Sequence, residues 1–238
     1  MIEIKALASS SRGNCYHITD GVTPLLLECG ISMKEIRKGL GFKTSGIAGC
    51  LVSHEHADHS KSAKDLINAG IDIYTSQGTI DALELVGHRV HVVKAKQQFN
   101  VGEWIVMPFD VQHDAVEPLG FLLANEAGDK LLFATDTYYI KYKFKGLTHI
   151  MVECNYSAEI LNRNLNSGLV PAAMKKRIMQ SHFSLENVKE FFKANDLSKV
   201  HEIWLIHLSD LNSDAARFKR EIQELTGKMV IVPGAGFE

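Results

Sequence analysis

The stretch Ser53-His54-Glu55-His56-Ala57-Asp58-His59 gathers three imidazoles and a carboxylate into a single short segment directly after an apolar run. Imidazole nitrogen and carboxylate oxygen together suit zinc, manganese or iron, and a catalytic site of this kind keeps one position open for water. A solvated polar loop is the bland alternative, but the H-x-H-x-D-H spacing is much more specific than a lone histidine. One segment cannot complete two metal sites, so further ligands are expected at other strand ends. His113 follows the run WIVMPFDVQ, Asp136 ends LLFATD, and His207 ends IWLIH. Taken alone, each is better read as a strand cap or turn residue than as a ligand. Their joint arrangement behind the histidine segment makes them a candidate ligand set.

Such side chains need elements to hold them, and the pattern marks those too. Short β-rich runs, EIKALA, CYHIT and PLLLEC, open the chain and are bounded by Gly, Ser, Asn or Pro. Ser32-Met33-Lys34-Glu35 has capping-box form and predicts a helix that ends near Gly39 or Gly41. Gly49 to Val52 predicts a buried strand delivering the histidine segment, and residues 60–69 a helix stopped by Gly70. Strand and helix alternate over 71–93. β signals return over 99–135, with a hairpin turning at Asn125 to Asp129. THIMVEC and EIWLIH predict buried strands and MVIVP a last one, with helices near 171–180, 184–195 and 213–226. No repeat, low-complexity tract or linker interrupts the pattern, which predicts a single domain over 1–238: a strand-rich half, a similar second half, and helices outside.

Composition narrows the classes. With 238 residues, 45% hydrophobic and 23% charged, the chain can build a sizeable core, which excludes disorder, collagen and coiled coil. No apolar run approaches the roughly 20 residues that cross a bilayer, so no membrane partner is expected, and the protein is expected to stay in the cytoplasm. Cys15, Cys29, Cys50 and Cys154 form no C-x-x-C pair and are expected to be reduced and mostly buried. A net charge of −2 gives no global basic field, so a nucleic-acid partner would have to meet a local patch. Lys141-x-Lys143-x-Lys145, interleaved with Tyr139, Tyr142 and Phe144, could supply one by binding phosphates and stacking bases. An edge strand protected by lysines is the rival reading. His17, His88, His91, His149 and His201 lack motif context and read as surface or strand-edge residues.

The order H-x-H-x-D-H, then His, then Asp, then His resembles the metallo-β-lactamase superfamily over nearly the whole chain, from Leu26 to His207. The resemblance implies an α/β (α+β) fold, a four-layer αβ/βα sandwich of two mixed β-sheets packed face to face with helices outside. It implies that His54, His56 and His113 hold one divalent ion, that Asp58, His59 and His207 hold a second, and that Asp136 bridges both. Zinc is the first expectation for the two ions, with manganese or iron after it. In that family an apolar-run-Asp-x-Gly segment supports the metal loop; here Leu25-Leu26-Leu27-Glu28-Cys29-Gly30 carries Glu28 in the Asp place.

Two further likenesses bear on the subfamily. Ser9-Ser10-Ser11-Arg12-Gly13-Asn14-Cys15 is similar to the Ser/Gly-rich loop of YycJ-type hydrolases, a bacterial and phage group of exonucleases. Val152-Glu153-Cys154-Asn155-Tyr156 and Ser181-His182-Phe183-Ser184 resemble segments that tRNase Z-like nucleases use near the scissile phosphate. This implies catalytic roles for Glu153 and His182 alongside Asp58, against helix-end and core-edge readings of the first two. The implied function is a metal-dependent hydrolase of phosphodiesters, a DNA or RNA nuclease of exonuclease type. The alternative is a hydrolase of a small ester, thioester, lactone or cyclic phosphate on the same centre, since one fold hosts many chemistries. A non-catalytic metal-binding protein ranks third, because decay of function should have cost ligands first.

Overall fold

Apolar runs separated by turn residues divide the described chain, residues 1–234 of a computed structural model, into thirteen strands and eight helices. The class is α/β, with two mixed sheets and helices, as expected. Two compact units can be described: Met1–Asp110 with Ala115–Asp129, and Val111–Asp114 with Lys130 onward. Among the described residues no helix is long and apolar enough to cross a membrane.

In the first unit β1 (Glu3–Ser10), β2 (Gly13–Thr19), β3 (Leu25–Leu27), β4 (Cys50–Leu51), β5 (Ile73–Thr75) and β6 (Val90–Val92) lie side by side in that order. The first three pair antiparallel and β3 to β6 pair parallel. Leu26, Ile36, Cys50, Val52, Leu66 and Ile73 are fully buried in one cluster. Each aliphatic side chain there contributes about 1.5–3 kcal/mol relative to exposure. The capping box forms as predicted: Ser32 Oγ accepts from the Glu35 amide, and Glu35 Oε2 accepts from the Ser32 amide, starting α1 (Met33–Gly39). β7 (Phe99–Val101), β8 (Trp104–Asp110) and β9 (Leu119–Ala124) form an antiparallel run in the same unit, and Asn125 Oδ1 accepts from the Asp129 amide in the turn that follows.

The helix expected over 60–69 is two helices, α2 (Ala57–Ser60) and α3 (Ala63–Asn68). The break has a tertiary cause. Ser62 donates its amide to the Cys29 carbonyl and its hydroxyl to the Ile31 carbonyl at 2.6 Å, which takes it out of the helical ladder. α4 (Gln77–Leu83) follows β5, capped by Ser76.

In the second unit β10 (Lys130–Ala134), β11 (His149–Glu153), β12 (Glu202–Ile206) and β13 (Met229–Ile231) pair parallel in sequence order. β11 is buried along its whole length and β12 nearly so, the continuous apolar run that a doubly covered parallel strand requires. Its helices are α5 (Ala158–Asn166), α6 (Ala172–Ser181), α7 (Leu185–Ala194) and α8 (Ala215–Thr226). α5 was not expected. The lysine-rich segment 141–145 is irregular rather than an edge strand, and the C-cap residue of α7 engages its backbone: Asn195 Oδ1 accepts from the Phe144 amide at 2.8 Å. His149 is not a surface residue but buried at the start of β11, with its Nδ1 2.8 Å from Thr148 Oγ1. All four cysteines are free and buried, and burial raises the thiols of Cys15, Cys50 and Cys154 well above their ordinary range.

Candidate metal centre

The histidine segment leaves β4 and enters α2, with His56 at the N-cap. That path turns three rings inward together: the His54 ring centroid lies 4.6 Å from that of His56 and 4.3 Å from that of His59. Asp58 Oδ2 is 3.3 Å from His59 Nε2. Behind them stands a buried polar layer. Ser53 Oγ is 2.8 Å from His54 Nδ1, and Asn14 Nδ2 donates to the Asp58 carbonyl at 3.3 Å. Glu55 Oε1 accepts from the Val116 amide at 2.9 Å, which ties down the loop before β9.

Glu28, which stands in the Asp place of the apolar-run segment, reaches the start of the histidine segment. It is fully buried, and its Oε1 accepts from the Ser53 amide at 3.1 Å, anchoring the start of the histidine segment. Its Oε2 stands 3.5 Å from His59 Nδ1, longer than an ordinary N–H···O hydrogen bond. Burial raises the Glu28 carboxyl above its ordinary value, with His59 and Ser53 opposing. Two residues on, Gly30 is packed so tightly that a Cβ there would sit 1.7 Å from the Asp58 carbonyl oxygen. No other residue type fits.

The second unit collects its polar side chains at the C-terminal ends of parallel strands, where α/β sheets characteristically bind ligands. Asp136 follows β10, Glu153 ends β11, and His207 follows β12. One atom each of Asp136, Glu153, His182 and His207 lie within 4.8 Å of one another, and His207 Nδ1 meets Asp136 Oδ1 directly. Asp136 and His207 hold positive φ angles of 35° and 53°, as does Glu28 at 63°. Non-glycine residues adopt this region at a cost of order 1–3 kcal/mol, and here the surroundings hold it in place: Asn155 Nδ2 donates to the His207 carbonyl at 2.9 Å, and Thr135 Oγ1 donates to Asp136 Oδ1 at 2.8 Å.

His113 and His182 complete this group. His113 Nδ1 lies 2.8 Å from the Ser181 carbonyl; a carbonyl only accepts, so Nδ1 carries the proton and Nε2 keeps its lone pair, 3.4 Å from Asp136 Oδ2. Such a partner behind the ring is how metal-binding histidines are commonly oriented. Burial lowers the His113 imidazole below its ordinary value against the pull of Asp136. Glu153, fully buried, accepts from His182 Nδ1 at 2.6 Å and from the amides of Thr137 and Phe183 at 3.0 Å each. Burial opposes charge on His182, but the Glu153 carboxylate outweighs it and brings the imidazole up to about 9.

The first unit thus assembles His54, His56, Asp58 and His59, and the second His113, Asp136, Glu153, His182 and His207. The donor chemistry fits divalent ions: imidazoles oriented by backbone and hydroxyl partners, carboxylates beside them, and strained backbone at Asp136 and His207. Sequence reasoning missed Gly30 as the close-approach residue, and Asn14 and Asn155 as the side chains that hold the loops, although all three lie inside segments it had marked.

Residues 25–208 match the beta-lactamase superfamily domain. The whole chain is 26% identical to exodeoxyribonuclease YycJ of Bacillus anthracis, across 94% of that protein. Among solved structures it is similar to the metallo-beta-lactamase fold protein YhfI of Bacillus subtilis, with a TM-score of 0.75 at 15% identity over 100% of this chain and 98% of that one. It is also similar to human tRNase Z, short form, with a TM-score of 0.66 at 15% identity over 98% of this chain and 96% of that one. The family match takes in the histidine segment, the strand-end carboxylates and His207 together, so this chain belongs to the beta-lactamase superfamily and has the metallo-β-lactamase fold.

Proposed function

We propose that the chain is a metal-dependent phosphodiesterase that degrades DNA or RNA, an exonuclease-like enzyme. The observation that carries this reading is the buried Glu153 carboxylate bound to His182 Nδ1 beside Asp136 and His207. The relative named exodeoxyribonuclease, matched over the full chain, supports the same substrate class. We assign His54, His56 and His113 to one ion and Asp58, His59 and His207 to a second, with Asp136 bridging; zinc is the first choice, manganese or iron the others. Bound there, two divalent ions would supply an activated water at neutral pH and neutralise charge on the phosphate.

The chain's own residues then have distinct tasks. Glu153 fixes the His182 ring by accepting a hydrogen bond from its Nδ1–H, which leaves Nε2 as the atom that passes a proton to the leaving oxygen. This is the His–carboxylate logic of general acids, which contribute about 10² to 10⁴-fold in rate. Glu153 has no exposed surface, so it positions His182 and does not touch substrate. Asp58 acts with His59 as a ligand pair, and Glu28 and Gly30 hold their loop. Action in the cytoplasm is supported by four buried, unbridged thiols.

The test is metal-loaded protein on end-labelled single- and double-stranded DNA and RNA, with a small chromogenic phosphodiester alongside. Progressive release of mononucleotides from one end is expected. Turnover of only the small phosphodiester, or of a thioester or lactone, would move the assignment to a small-molecule hydrolase. Bound metal without any turnover would leave a metal-binding protein.

A further inference from the structure

The segments that follow Asp136 and His182 enclose a separate cavity of about 300 Å3. One wall is the run Tyr139 to Lys143; the other is Phe183 with Asn187 and Phe191 on α7. Both walls therefore begin within three residues of the candidate centre. The irregular wall is pinned in place, since Asn187 Nδ2 donates to the Tyr138 carbonyl at 3.2 Å and Asn195 Oδ1 accepts from the Phe144 amide at 2.8 Å. Tyr139 is 55% exposed and Lys141 and Lys143 are both exposed. Glu190 is the acid on the rim, and Lys193 pairs with it at 2.7 Å, so the rim is net basic.

We propose that this groove is a subsite for single-stranded nucleic acid: one base stacks on Tyr139, its flanking phosphates meet Lys141 and Lys143, and the strand runs on toward His182. The proposal rests on the nuclease reading and adds strandedness to it. A base offers its π-face only when unpaired, and an exposed aromatic ring beside cations is the usual platform for it. The size agrees, because such a volume lies at the small end of ligand pockets and is far too small for a duplex. With a net charge of −2, the chain has no general attraction for polyanions, so the affinity has to be local.

The test uses full-length, metal-loaded protein and a fluorescent phosphorothioate oligothymidylate that resists cleavage, read by anisotropy across a salt series. Tyr139→Ala should weaken binding about 10-fold without changing the salt slope, and Tyr139→Phe should restore it. Lys141→Ala with Lys143→Ala should make the slope of log affinity against log salt shallower by about 1.4, two phosphates at about 0.7 each. Lys219→Ala with Arg220→Ala removes the same charge from α8, where those residues line a different cavity, and should leave the slope unchanged. Wild-type binding by Tyr139→Ala, or an equal loss in the α8 variant, overturns the subsite. If the variants bind as wild type while wild type degrades DNA, the subsite fails and the nuclease reading stands. Groove-dependent binding of strands whose ordinary phosphodiester forms are never hydrolysed leaves the subsite and removes the nuclease reading.

Discussion

At the scale of single residues the chemistry depends on what each side chain leaves available. His182 has its Nδ1 committed to a fully buried carboxylate, so only Nε2 remains for substrate. His182→Ala should lower kcat on a phosphodiester by about 10² to 10⁴-fold with metal content unchanged, checked by kinetics beside metal analysis. Loss of the ions would instead make His182 a ligand, and unaltered turnover would remove the proton-donor role. Gly30 yields a different prediction. A methyl group there collides with the Asp58 backbone, and an alanine would push Asp58 and His59 off their geometry, where errors of about 1 Å cost roughly 10²-fold. Gly30→Ala should lose metal and activity together while circular dichroism stays native; a variant with full metal content and turnover would show that the loop tolerates displacement. The ligand candidates were legible in sequence because H-x-H-x-D-H is local. Gly30, Asn14 and Asn155 were not, since their value lies in contacts to segments distant in sequence.

At the scale of elements, local signals were read correctly where local energetics decide. The Ser32–Glu35 capping box is such a case, and Ser32→Ala should destabilise the protein by about 1 kcal/mol and leave kcat unchanged, measured by thermal melting and kinetics. A drop in activity with no change in melting temperature would mean that α1 is not merely structural. α5 escaped notice because Asn164 interrupts its apolar stripe: the residue is buried, donating through Nδ2 to the Leu211 carbonyl at 2.7 Å and to Asn212 Oδ1 at 3.1 Å. Read as a polar surface residue, it hides the helical period. The same kind of long-range hydrogen bond splits the 60–69 helix at Ser62 and engages the irregular segment 141–145. In each case a hydrogen bond to a partner distant in sequence occupies a polar group that a window of neighbours would assign locally.

At the scale of the whole molecule the question is whether the two compact units fold as one. The chain passes from the first unit to the second at Val111, returns at Ala115, and leaves again at Lys130. No single cut in the sequence can separate them, so neither unit is a continuous stretch that could be built independently. We therefore propose that residues 1–238 fold as one domain, and expect a single thermal transition whose calorimetric and van't Hoff enthalpies agree. Two resolved transitions, or an isolated fragment that folds alone, would contradict this. Ions add a second measurable, because anything that binds only the folded chain stabilises it by mass action. At about 100 times its dissociation constant one ion contributes roughly 2.7 kcal/mol, which for a chain of this size raises Tm by about 5–11 °C. Titrating zinc or manganese into chelator-treated protein should raise Tm and keep the transition single, saturating at two ions per chain. Saturation at one ion in a fully active protein would dismantle the two-ion assignment of His54, His56, Asp58, His59, His113, Asp136 and His207.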